Sequence, residues 1–195
     1  MLSDWFVQTW DATPRPLLAA LLGAFAFAVS LPLIRHCLRI CDAPPKGLPW
    51  GSSLATGLVV AAFSWLMLQY DVQRIHEVRP LPVMDRMLIV HHCVLLVLLA
   101  AATATDWKTC YIPDIVPLTG LVLGILVAVG TGDAQITHVW VDWNQEIPNF
   151  QGPYIPGWLA AHPHLHGLAW SIAGAVCGAV LTLSLIHISE PTRPY

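Results

Sequence analysis

The chain has 195 residues, of which 56% are hydrophobic and 11% charged, and its mean hydropathy is +0.62. Soluble domains carry roughly 25% charged residues, so a water-soluble globule is excluded, and a net charge of −3 gives no basis for nucleic-acid binding. Five cysteines in or beside apolar runs form no disulfide framework, which leaves an integral membrane protein.

Apolar runs predict an all-α, polytopic membrane helix bundle of about five transmembrane helices. The first covers Leu17 to Leu33, with an interfacial continuation to Ile40. The second runs from Ser53 to Leu68, ending near Tyr70. The third runs from Met87 to Thr105. The fourth follows Tyr111 and runs to Val129. The fifth covers Leu168 to about Leu185. Each approaches the length that a hydrocarbon core of ~30 Å requires. Barrel strands would be half as long and would alternate. Small residues recur in the first span (Gly23, Ala24, Ala26, Ala28) and the fifth (Gly174, Ala175, Gly178, Ala179), which predicts close helix packing. Asp4 and Asp11 precede the first run, so it lacks the basic start of a signal peptide and reads as a retained helix.

Lys and Arg divide evenly between the two sets of loops. The segment from Gly132 to His166 holds none, is rich in Trp, and is the easier one to export. This places the N-terminus and the 71–86 and 132–166 loops outside, and the 34–52 and 106–111 loops inside. The 132–166 loop is expected to act as an interfacial cap, with Trp140, Trp143, Trp158 and Trp170 as anchors. The tail from Ser184 to Tyr195 resembles a translated sequencing-adapter sequence. On that reading residues 1–183 form an incomplete membrane domain, and the 195 residues alone are expected to be inactive.

The densest chemical signal is Asp106-Trp-Lys-Thr-Cys-Tyr-Ile-Pro-Asp114. Carboxylates at a membrane boundary are costly and often functional. Pro113 suits the first turn of the fourth helix, and Asp114 would there interact favourably with the helix dipole. An ordinary helix-start acid explains Asp114 equally well.

Ala101-Ala-Thr-Ala-Thr-Asp106, followed by Tyr111-Ile-Pro-Asp114 and an apolar helix, resembles the first catalytic block of type IV prepilin peptidases. The resemblance covers residues 87–183 and is most specific around 101–120. It implies an intramembrane aspartyl endopeptidase of the bacterial inner membrane that removes leader peptides from type IV pilin-like precursors at the cytoplasmic face. Pilin-like precursors and the lipid bilayer are the implied partners, with no cofactor and no metal. Asp106 matches the first catalytic position, and Ile112, Pro113 and Asp114 match a supporting motif. Two aspartates would share a proton, because like charges held close together do not both ionise cheaply. One would accept a proton from water while the other polarised the scissile carbonyl.

The family's second aspartate lies in Gly-x-Gly-Asp at the head of a later helix. Gly130-Thr-Gly-Asp133 has that form, but the residues after it cannot span, and a fourth helix of ~30 Å would separate Asp133 from Asp106. Asp133 is therefore a secondary candidate, and the second aspartate is expected beyond the fifth span. Bifunctional members carry a long loop with two Cys-x-x-Cys pairs after the first helix. Here that loop is short, with Cys37 and Cys41 four apart beside His36, which leaves methyltransferase activity without support. His162, His164 and His166 would share a side in an extended segment. His91 and His92 fall within the third span, where a helix-facing hydrogen bond is expected.

Two other readings stay open. Ile34 to Lys46 is similar to the segment after the first helix of polyprenyl-phosphate sugar-phosphate transferases. Those enzymes need a cluster of acids for Mg²⁺, of which only Asp42 and Asp106 are present. The third reading is a non-catalytic membrane subunit of a secretion or pilus system.

Overall fold

The computed structural model describes residues 2–43, 47–70, 82–131, 158 and 161–189. Among these the chain is all-helical: α1 (Leu2–Ala12), α2 (Arg15–Ile40), α3 (Leu48–Tyr70), α4 (Pro82–Thr109), α5 (Ile115–Thr131) and α6 (Pro163–Ser189). Within α2, α3, α4 and α6 lie four stretches long and apolar enough to cross a membrane. At 17 residues, α5 is at the lower end of the spanning range. The protein is a membrane-embedded helical bundle.

Two compact units divide it. One holds α1–α4 and α5 as far as Gly120. The other holds α5 from Leu121 together with α6.

In the first unit the most extensive contact is between α2 and α3. Ala19, Gly23, Ala26, Ser30, Ile34 and Cys37 recur every three or four residues along α2 and form its buried stripe. Ser53, Thr56, Gly57, Val60 and Ser64 are the matching stripe on α3. The helices cross at two glycines. A Cβ on Gly23 would stand 2.6 Å from the Gly57 carbonyl oxygen, and one on Gly57 would stand 2.9 Å from the Gly23 oxygen. Lipid offers no hydrophobic drive between helices, so this close approach of backbones is what holds the pair. Against it packs α4. Ile89, Cys93 and Val97 meet Ala26 and Val60 in one cluster. Leu98, Ala101 and Ala104 meet Ile34, Cys37 and Leu38 in another, which also takes Val116 from the start of α5. Leu17, Leu21 and Phe25 of α2 and Leu95 and Leu99 of α4 face outward, as lipid requires.

Several hydroxyls find partners within their own helices. Ser30 donates to Phe27 O, Thr56 to Ser52 O and Thr119 to Ile115 O, which satisfies them where no water is present. Ser64 Oγ and Cys93 Sγ, 3.4 Å apart, join α3 to α4. Ser53 Oγ is buried with no partner among the described residues.

Several expected boundaries move. The first span and its interfacial continuation are one helix, α2, which runs through Pro32 because neighbouring helices hold it on both sides of the lost hydrogen bond. The second span begins five residues before the predicted start, at Leu48. The N-terminal α1 was not anticipated. Its Phe6 and Trp10 rings lie 5.5 Å apart, and Trp10 packs on the Ala26–Val60 cluster. Asp11 closes it with an ion pair to Arg86 of α4, in which Nη2 reaches Oδ1 at 2.7 Å and Oδ2 at 2.8 Å, and Nε reaches Oδ1 at 3.0 Å.

In the second unit α6 begins at Pro163, a position where the missing N–H costs no helical hydrogen bond. His166 N bonds to His162 O at 3.0 Å. Among the described residues a Cβ on Gly174 or Gly178 of α6 would meet nothing within 4 Å.

Candidate functional site

Asp106 stands in the last turn of α4. The sequence placed a loop directly after Thr105, but the helix continues to Thr109. Hydroxyls extend it: Thr105 Oγ1 lies 2.9 Å from the carbonyls of Ala101 and Ala102, and Thr109 Oγ1 lies 2.8 Å from that of Thr105. Cys110 ends the helix. Its N–H still bonds to Asp106 O at 2.8 Å, while its φ of 52° turns the chain away in the left-handed region. Pro113 is fully buried and disfavours helix at Ile112. Leu118 N bonds to Asp114 O at 3.0 Å, which makes Asp114 the capping residue just before α5 and not a member of its first turn.

The connection from Cys110 to Asp114 therefore places the end of α4 and the start of α5 at the same end of the bundle, with Val116 packed beside Ala101 and Ala104. Asp106, Ile112 and Asp114 are exposed there, and Pro113 is their buried pivot. Among the described residues neither carboxylate makes a hydrogen bond or ion pair, and the same holds for Lys108. Asp133 lies outside the described residues, as do Trp140, Trp143 and most of the 132–166 segment.

A groove not anticipated from the sequence reaches this end. About 370 Å³ of open space lies between α3 and α4, lined by Leu48, Ser52, Ala55, Thr56 and Val59 on one side and by Leu96, Ala100, Thr103, Ala104 and Trp107 on the other. Both sets follow the spacing i, i+4, i+7, i+8, i+11, a single face of each helix. Small side chains keep it open. Trp107, 83% exposed, stands at its mouth between Asp106 and Lys108 in sequence. Small-residue periodicity at Ala100 and Ala104 was the only signal that could have found it, and in an alanine-rich span that signal is not distinctive.

The other candidates are dispersed. Cys37 is buried, and Cys41 caps α2. The helical backbone after Pro163 separates the alternating histidines. Instead of sharing a side, His164 Nδ1 donates to Val129 O at 2.7 Å, and His166 Nε2 accepts from Trp170 Nε1 at 2.8 Å. No group of three or more metal-ligating side chains occurs among the described residues. Within α4, His92 Nδ1 donates to Leu88 O at 2.7 Å, and its ring centroid lies 5.8 Å from that of Phe63.

Compared with known proteins, the chain matches no family model, no curated protein and no solved structure.

Proposed function

We propose that the protein is a membrane-embedded aspartyl endopeptidase that cleaves leader peptides from type IV pilin-like precursors at the cytoplasmic face of a bacterial inner membrane. One observation carries the reading: Asp106 is an exposed carboxylate at the end of a spanning helix, and Ile112-Pro113-Asp114 stands at the same end, across a short connection. A carboxylate so placed meets water and a polypeptide leader together, while the bilayer holds the rest of the substrate.

On this reading Asp106 is one half of a proton-sharing pair. Its partner belongs to a Gly-x-Gly-Asp sequence heading a further helix. The ionised carboxylate takes a proton from the attacking water, and the protonated one donates to the scissile carbonyl oxygen. Asp114 positions the start of α5 and does not touch the reacting atoms.

The test is cleavage of a pilin precursor in lipid by a protein that carries the further helix. Asp106→Asn is expected to reduce cleavage by at least ~10²–10⁴-fold, since an amide neither accepts nor shares the proton. Asp114→Asn is expected to retain most of the activity. Unchanged cleavage in Asp106→Asn would overturn the assignment.

A further inference from the structure

Two cations of α2 share one helix face at a membrane boundary, and among the described residues neither makes an ion pair. Arg15 and Arg35 stand twenty residues apart in α2, about 30 Å along the helix, which is the thickness of a hydrocarbon core. With Arg15 at one boundary, Arg35 therefore meets the other, and Arg39 lies about 6 Å further out, among the lipid headgroups. Four positions separate Arg35 from Arg39, so they are about 40° apart around the helix. Like charges at this spacing repel. Asp42, the acid nearest in sequence, lies past the end of the helix and pairs with neither.

The face that carries these charges continues into the bilayer as an apolar strip. Phe27, Leu31 and Arg35 recur every four residues along α2. The Arg35 guanidinium lies over the ring of Trp50 on α3, 5.3 Å from its centroid, and the Trp50 ring lies 6.0 Å from that of Phe27. Leu54, exposed like Trp50, follows it by one turn on α3. Through Trp50 the cationic end and the apolar strip are one continuous surface of α2 and α3.

We propose that this surface binds a phospholipid of net negative charge, of the phosphatidylglycerol type. The phosphate lies between Arg35 and Arg39, whose guanidinium groups match its oxygens and whose repulsion it relieves. One acyl chain runs along Trp50 and Leu54. A zwitterionic lipid would bring an ammonium against the same two cations, and a free phosphate ion would gain nothing from the strip. The site is independent of the peptidase reading.

The test is fluorescence of the intact protein in vesicles of equal phosphatidylethanolamine and phosphatidylglycerol, with bromine on the acyl chains of one lipid at a time. The Trp50 signal is taken as the difference from Trp50→Phe. Brominated phosphatidylglycerol is expected to quench it more than brominated phosphatidylethanolamine does. Arg39 is exposed and unpaired among the described residues, so Arg39→Gln tests the site without disturbing the fold. It should lower the preference for phosphatidylglycerol about fivefold, the scale of one cation at an anionic membrane surface. Arg39→Lys should keep most of the preference. Arg15→Gln, at the opposite end of α2, should leave it unchanged, which separates a local site from the effect of net charge. Equal quenching by the two lipids, relief of the quenching by inorganic phosphate, or a preference that survives with Arg35→Gln and Arg39→Gln combined would overturn the proposal.

Discussion

Gly23 and Gly57 set the distance between α2 and α3. The oxygen that a Gly23 side chain would strike belongs to backbone, which cannot rotate away, so the helices themselves would have to part. Gly23→Leu is expected to lower stability by about 1–3 kcal/mol, measured by thermal unfolding in detergent. Gly174→Leu, with nothing among the described residues within 4 Å of the new Cβ, should change it by less than about 0.5 kcal/mol. Two glycines that look alike in sequence thus differ by what lies opposite them. Arg86 is the other residue whose surroundings decide its role. Its side chain is 10% exposed and that of its partner Asp11 is 51% exposed, so the pair is intermediate between a surface bridge and a buried one. Arg86→Ala should cost about 2 kcal/mol, between the ~1 kcal/mol of exposed pairs and the 3–5 kcal/mol of broken buried pairs. The same unfolding measurement checks this, together with a change in Trp10 fluorescence as α1 loosens.

At the scale of elements, polarity follows from which ends are joined. A span between Leu48 and Tyr70 puts those two residues at opposite membrane faces, and the return through α4 brings Lys108 and Cys110 to the face of Leu48. Cys110 is an exposed native thiol and reports its face directly. In sealed vesicles an impermeant maleimide should label Cys110 from one side only. In a Cys110→Ala background it should label Tyr70→Cys from the other side only. Labelling of both from one side would contradict the spanning assignment of α3 and α4. The connection between α4 and α5 is the element with the most local determination. Threonine hydroxyls carry the helix past Asp106, a left-handed Cys110 stops it, and Pro113 keeps the next residues extended until Asp114 caps α5. Cys110→Gly should therefore be tolerated or mildly stabilising, because glycine adopts a positive φ without steric cost.

At the scale of the molecule, the sequence by itself determined the membrane class, the helical architecture and the approximate place of the four described helices long enough to span. Each of these follows from local composition: twenty apolar residues in a row have no stable alternative in a bilayer, where backbone groups must bond within the segment. Local sequence also placed the acidic motif of Asp106 and Asp114 at a helix junction. It missed α1, which is short and carries acids, because what holds that helix is Trp10 on the Ala26–Val60 cluster and Asp11 on Arg86, seventy-five residues away. It read the alternating histidines as extended, whereas the helix opened at Pro163 turns His164 and His166 to different partners. It read Gly23 and Gly174 alike, whereas among the described residues a Cβ on the first would strike α3 and one on the second would meet nothing within 4 Å. The groove beside Asp106 is decided by tertiary structure alone. Two stripes about fifty positions apart, with small residues at their middle, make an open space only when packing sets these faces of α3 and α4 opposite each other. Membrane partition is a sum over each residue's own preference for lipid, so it can be read along the chain. A groove depends on which faces of separate helices oppose each other, and that is a property of packing.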